Sequence, residues 1–461
     1  MRTLIKGGTV LSATGASPAD VLVEDETVAA VTAPGFLTDA DHILDATGKY
    51  VLPGGIDAHT HMEMPFGGTQ SADTFATGTE AAAWGGTTTI IDFAVQAKGS
   101  TLTATLDRWH HKAGGECAID YGFHMIVSDV NDTTLKEMET CAEAGVTSFK
   151  MFMAYPGVFY STDGEILRAM QKARETGSMI MMHAENGIAI DELVAQALAA
   201  GRSEPVNHGL TRPSSLEGEA TARAIRLAQV TGAPLYIVHL SAAEALSAVA
   251  EARDGGQNVF AETCPQYLYL SIEDLARPGF EGAKYVASPP LREKRHQADL
   301  WRGLRTNDLS VVSTDHCPFC FKEQKELGRD DFSKIPNGMP GVEHRMDLLH
   351  QGVVAGEISL ARWVETCSTT PARMFGLYPR KGVIAPGSDA DIVIYDPNAK
   401  QVLSAETHHM NVDYSAYEGF EITGKVDTVL SRGTVIVSPS GFSGRGGHGK
   451  FLPREHCQYL T

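Results

Sequence analysis

Tyr50-Val51-Leu52-Pro53-Gly54-Gly55-Ile56-Asp57-Ala58-His59-Thr60-His61 is the stretch on which the reading of this chain turns. An apolar run ends there at two histidines one residue apart, and in extended backbone the side chains at i and i+2 point to the same side. Two imidazoles so placed can converge on one ion. By itself His-x-His is more often a pair of surface or hydrogen-bonded histidines, so its meaning depends on what the rest of the chain brings to the same place.

Seven further β-like runs follow, at residues 87–93, 121–127, 148–152, 179–183, 235–239, 258–263 and 309–315. Helical segments separate them. Residues 163–177 carry Leu167, Met170 and Ala173 at helical spacing and end on Gly177, and Ser241-Ala242-Ala243-Glu244 matches a capping box that would open another helix. Eight strand–helix units predict an α/β fold, a (βα)₈ TIM barrel. Short β-rich runs also lie at both ends of the chain, at residues 4–11, 20–23 and 27–31 and again at 391–396 and 428–437. Neither group is large enough to close a core alone, which predicts one small β-sandwich built from both termini. The expected division is residues 1–53 plus 378–440 for the sandwich and 54–377 for the barrel, with residues 441–461 as an extended arm, disordered or lying on a neighbouring subunit.

The 461 residues, with 43% hydrophobic and 21% charged content, are those of an ordinary globular protein. A net charge of -19 argues against a nucleic-acid or anionic-membrane partner. There is no apolar stretch long enough to span a bilayer and no signal-peptide core at the N-terminus, so the chain reads as cytoplasmic. Seven scattered cysteines fit reduced thiols, and Cys317-Pro-Phe-Cys320 lacks the second pair that a zinc site would need.

Barrel active sites are built at the C-terminal ends of the strands. His59 and His61 close the first run, Lys150 lies in the fourth, and His183, His239 and Asp315 end the fifth, sixth and eighth. One histidine at a strand end is ordinarily a satisfied core residue; four of them with an aspartate on one rim form a candidate metal centre. Lys150 sits between Phe149 and Met151-Phe152, where a bare ammonium loses hydration. Two readings stay open: a structural ion pair with Asp315 or another carboxylate, or a neutral amine that adds carbon dioxide and becomes a carbamate.

Several segments together resemble the cyclic amidohydrolases of the D-hydantoinase and dihydropyrimidinase type: residues 54–61, 149–155, His183-Ala184-Glu185-Asn186, Val238-His239-Leu240-Ser241, residues 288–292, Thr314-Asp315-His316-Cys317 and residues 334–338. The resemblance covers nearly the whole chain. It implies a metal-dependent (βα)₈ TIM barrel and a binuclear zinc centre with His59, His61 and Asp315 on one ion, His183 and His239 on the other, and carboxylated Lys150 and a hydroxide bridging them. It further implies that Asp315 moves the proton, that Tyr155 stabilises the oxyanion, and that Ser288 and Asn337, with Tyr155, grip a flat cyclic amide or ureide through backbone groups. Met62, Phe66, Phe152 and Phe159 are candidates to face the exocyclic substituent. Such relatives suggest a homo-oligomer, tetramer or dimer, and D-selectivity. The alternatives on this scaffold are an allantoinase-like enzyme and a non-catalytic assembly protein like the collapsin response mediators.

Overall fold

Pro53-Gly54-Gly55 divides the decisive stretch between two sheets. In the computed structural model, which describes residues 1–460, Tyr50–Pro53 pairs with Thr9–Val10 on one side and with Ile392–Tyr395 on the other, whereas Gly55–Thr60 opens a separate eight-stranded parallel sheet. The crossing is tight enough to demand glycine. A Cβ on Gly54 would stand 2.1 Å from Thr88 Oγ1.

The parallel sheet consists of Gly55–Thr60 (β1), Thr87–Val95 (β2), Asp120–Ile126 (β3), Ser148–Phe152 (β4), Met179–His183 (β5), Leu235–Ile237 (β6), Val259–Thr263 (β7) and Val311–Val312 (β8), paired in that order. The ring closes just beyond β8, where His316 bridges in parallel to Thr60 and its carbonyl accepts from the His61 N–H at 2.9 Å. These strands are buried along their length, as expected of a sheet covered by helices on one face and filled with side chains on the other. The helix Asp163–Thr176 ends at Gly177 with φ 70°, as its sequence predicts, and starts at a Thr162–Glu165 capping box. The capping box at Ser241 does not form. The helix there, Ala243–Asp254, starts without a side-chain cap, and Ser241 Oγ instead donates to the buried Glu217 carboxylate at 2.5 Å, because a buried carboxylate needs donors more than an accessible helix end does.

The termini form one continuous nine-stranded sheet of strands between Arg2 and Pro53 and between Ile392 and Phe442. The sheet curls on itself, with Ala390 N–H donating to Glu26 O at 2.8 Å and Val28 N–H to Ser388 O at 2.9 Å. It thereby encloses a separate core that includes Val21, Val51, Ile392 and Leu430. Through residue 460 the tail is not the disordered arm that its composition allows: it folds back onto its own barrel. Lys450 O and the Leu452 N–H pair with the backbone of Tyr121, and Arg454, 3% exposed, donates to Phe123 O and Ser148 Oγ. Its apolar Leu452 and hydrogen-bonding backbone give the tail a place to dock that glycine-rich composition alone conceals. Among the described residues no helix is long and apolar enough to cross a membrane.

Barrel, terminal sheet and tail meet at a buried ion cluster. Lys381 Nζ, 1% exposed, lies 2.7 Å from Asp120, 2.6 Å from Asp391 and 3.0 Å from Asp389, while Arg432 reaches Asp120 at 3.1 Å. Breaking such a cluster from the cationic side leaves buried carboxylates unpaired. Lys381→Met is therefore expected to lower unfolding free energy by about 3–5 kcal/mol, read from the urea midpoint; a shift of less than about 1 kcal/mol would show the cluster to be energetically neutral.

Candidate active site

The side chains flagged at the strand ends do meet. His59 Nε2 lies 3.2 Å from His61 Nε2, 3.1 Å from Asp315 Oδ1 and 2.9 Å from Lys150 Nζ, and His61 Nε2 lies 3.2 Å from the same Asp315 oxygen. His183 Nδ1 and His239 Nε2 are 3.0 Å apart, and the rings of His59 and His239 stack at 5.3 Å, so the two groups adjoin. His59, His61 and Asp315 form a cluster suited to holding a metal ion.

Each imidazole is aimed by what holds its other face. Glu262, at the end of β7 and wholly buried, accepts from His59 Nδ1, from the His239 N–H at 3.1 Å, from Tyr236 OH at 2.9 Å and from Ser313 Oγ at 2.7 Å. With the proton on Nδ1, the lone pair of His59 Nε2 points into the centre. Glu185 does the same for His183, accepting from Nε2 at 2.8 Å and leaving Nδ1 to face His239. Lone pairs turned towards one another in a dry site repel unless a cation or proton lies between them. Among the described residues the buried His61 Nδ1 and His239 Nδ1 have no hydrogen-bond partner, a further mark of rings ordered by something at their other nitrogen. The donor set fits divalent metal.

Lys150, 2% exposed, settles against the rings of Phe93 and Phe152, at 4.3 and 5.1 Å from their centroids. Among the described residues no carboxylate lies within ion-pair distance of its Nζ, so the structural ion pair with Asp315 that its sequence left open is not formed. Burial pulls its amine down to about 8, only partly offset by Asp315 and Glu262. Burial would raise the Asp315 carboxyl, yet the surrounding imidazoles of His59, His61 and His239 hold it well below the usual carboxylate range. Backbone strain gathers here as well. Tyr155, His239 and Asp315 have φ of 60°, 41° and 53°, a region disfavoured for side-chain-bearing residues by on the order of 1–3 kcal/mol each.

The cluster floors a cleft, open on one side, whose empty volume with the adjoining solvent included is about 420 Å³. Phe66, Phe152 and Phe159 line one wall, with the rings of Phe152 and Phe159 stacked at 4.9 Å. Met62 does not belong to it: it is fully buried and packs beneath the helix Phe75–Trp84, close enough that a Cβ on Gly78 would meet its sulfur at 2.2 Å. Met64, two residues on, lines the cleft instead. Tyr155, Ser288 and Asn337 form a polar patch, with Asn337 Nδ2 donating to Ser288 Oγ at 3.2 Å and to Tyr155 OH at 3.4 Å. Burial keeps the Tyr155 phenol protonated, its pKa pushed up to about 12. Cys317 lines the cleft as a free thiol, and Cys320 is free too.

Sequence reading passed over Glu262 and Glu185. Glu262 is the penultimate residue of the seventh run, at the same rim as the histidines, so a search of the strand ends could have found it; nothing local announces that Glu185 serves His183.

A family model described as the amidohydrolase family matches residues 50–436. This chain belongs to the amidohydrolase family. The amidohydrolase is 68% identical to a D-hydantoinase of Streptomyces coelicolor, an alignment covering 100% of this chain and 99% of the relative, and 50% identical to a D-hydantoinase of Geobacillus stearothermophilus over 98% and 97%. Among solved structures it is similar to the dihydropyrimidinase of Brevibacillus agri, at 51% identity and a TM-score of 0.97 with 99% of each chain covered. It is more distantly similar to an L-hydantoinase (dihydropyrimidinase) of Arthrobacter aurescens, at 31% identity and 0.89, covering 98% of this chain and 99% of that one. The family is metal-dependent, in keeping with the His59–His61–Asp315 cluster.

If Glu262 fixes the tautomer of His59, Glu262→Leu, which keeps approximate size but accepts no hydrogen bond, weakens divalent-metal affinity roughly 10- to 100-fold. Competition with a chromophoric chelator measures this; unchanged affinity in a folded variant would remove Glu262 from that role.

Proposed function

We propose that this amidohydrolase opens the ring amide of 5-substituted hydantoins and 5,6-dihydropyrimidines, giving N-carbamoyl amino acids. The observation that carries the reading is the meeting of four imidazoles, Asp315 and an uncompensated lysine at the floor of a cleft with an aromatic wall and a polar patch. The names of the relatives, D-hydantoinase and dihydropyrimidinase, point the same way. In this reading His59, His61 and Asp315 would hold one zinc ion and His183 and His239 a second, with Lys150 as a carbamate joining them. Two such ions supply a hydroxide at neutral pH and a Lewis-acid contact for the carbonyl.

The residues of the chain do the rest. Asp315 takes one proton of the attacking water and returns it to the leaving ring nitrogen as the C–N bond breaks, so that the nitrogen departs as a neutral ureide; the second proton of the water is released to solvent as the carboxylate forms. Tyr155 OH donates to the developing oxyanion. Backbone groups of Ser288 and Asn337 hold the ring edge, and Phe66, Phe152 and Phe159 receive the 5-substituent. Forming the carbamate requires neutral Lys150: its nitrogen adds to carbon dioxide and releases one proton. A non-catalytic scaffold has no use for this donor set, which favours the enzyme.

A panel of hydantoin, both enantiomers of 5-phenylhydantoin, dihydrouracil, allantoin and dihydroorotate tests the substrate class. Turnover is expected with the hydantoins, the D-form preferred, and with dihydrouracil, and is expected to cease on chelation. Tyr155→Phe should lower kcat by about 10²–10³, whereas Ser288→Ala should cost only severalfold; turnover confined to allantoin or dihydroorotate would refute the assignment.

Metal reconstitution should depend on pH through Lys150. Below about 8 the amine becomes an ammonium and cannot add carbon dioxide, so at fixed dissolved carbon dioxide the rate at which stripped enzyme regains activity with zinc falls roughly tenfold per pH unit. A rate indifferent to both pH and carbon dioxide would argue for an unmodified lysine.

A further inference from the structure

Lys325 is a fully buried cation that the mechanism above does not use. It opens the short helical turn Lys325–Gly328, and its Nζ donates to three carbonyls: Val286 O at 2.9 Å, Pro336 O at 2.7 Å and Gly338 O at 2.7 Å. Among the described residues it has no carboxylate partner, so its charge is balanced by peptide dipoles and by the face of Phe319, whose ring centroid lies 5.8 Å from Nζ. Removing an ammonium from water on those terms is costly, and a position with only a packing role would be served by methionine.

The three acceptors are not arbitrary. Val286 lies two residues before Ser288, and Pro336 and Gly338 bracket Asn337. In a trans peptide the C=O and the following N–H point in opposite directions, and the peptide bonds flanking Asn337 are not among the cis bonds of the described residues. Holding Pro336 O on Lys325 therefore turns the Asn337 N–H away from Lys325. The Gly338 N–H donates to Val286 O at 3.0 Å, the same oxygen that Lys325 holds, and this turns the Asn337 carbonyl away from Val286. Both backbone groups of Asn337 are thus aimed from behind. Gly338 itself has φ 151° and passes so close to Cys317 that a Cβ would stand 2.1 Å from its carbonyl oxygen, so this close approach requires glycine.

We infer that Lys325 is a positioning residue for ring binding: its ammonium locks the Ser288 and Asn337 loops together and sets the direction of the Asn337 peptide groups. The inference rests on the proposed use of those groups to hold the ring edge. Lys325 touches no substrate, so its effect falls on binding that substrate and transition state share, which raises KM and spares kcat.

The test is steady-state kinetics of metal-loaded Lys325→Met and Lys325→Gln with hydantoin, 5-phenylhydantoin and dihydrouracil, beside metal content and circular dichroism. Lys325→Met is expected to raise KM on the order of tenfold, by a similar factor for all three because they present the same ring edge. Its kcat should stay within about threefold and its metal content at the wild-type level. Lys325→Gln, which retains two N–H donors, should fall between the two. A folded Met or Gln variant with wild-type KM overturns the inference, as does a loss confined to kcat or to metal content. Failure of both variants to fold also overturns it, by making Lys325 an element of global stability. If the wild-type enzyme itself turns over none of the three rings, the substrate reading fails instead, and the two failures are told apart by that control.

Discussion

The hydrogen bond between Glu262 and His59 Nδ1 is the interaction on which the rest of the site depends. A neutral imidazole offers one lone pair, and the carboxylate decides which nitrogen carries it. The same carboxylate fixes the backbone N–H of His239 and the hydroxyls of Tyr236 and Ser313, so one buried anion from β7 orients groups from β1, β6 and the end of β8. Glu262 could not be buried uncompensated; these donors satisfy it and are in turn immobilised by it.

This arrangement exists only because the barrel closes. β1 and β8 are brought together by the Thr60–His316 bridge, which places His61 beside Asp315. His316 is itself held, its Nε2 against Asp73 at 2.9 Å and its Nδ1 accepting from the Gly341 N–H at 3.1 Å. The opposite end of the barrel is secured differently, by Lys381, Arg432 and Arg454 from the terminal sheet and tail. Stability-bearing contacts lie at the N-terminal ends of the strands and chemistry-bearing ones at the C-terminal ends, so strain at Tyr155, His239 and Asp315 is carried by a frame anchored elsewhere.

The cleft has two opposed surfaces with different demands. Its floor of imidazoles needs fixed lone pairs, which buried carboxylates provide. Its polar patch needs fixed N–H and C=O directions, and there the anchoring group is a cation, Lys325, that meets carbonyl oxygens. Carboxylates aim donors and an ammonium aims acceptors, and both act by occupying the far side of the group they orient.

The sequence by itself determined the eight strand–helix units, the β-unit shared by the two ends of the chain, and the rim residues His59, His61, Lys150, His183, His239 and Asp315. Each of these follows from a local pattern: continuous apolar runs, a helix-ending glycine, or a polar side chain in or at the end of a strand. Tertiary structure decided what depends on residues far apart in the chain. It diverted Ser241 from a cap to the carboxylate of Glu217, placed Met62 in the core and Met64 in the cleft, returned the tail to its own barrel, and denied Lys150 a carboxylate. Local periodicity specifies which way a side chain leaves the backbone; what it meets there is set by which distant segment the closing barrel delivers to the same space.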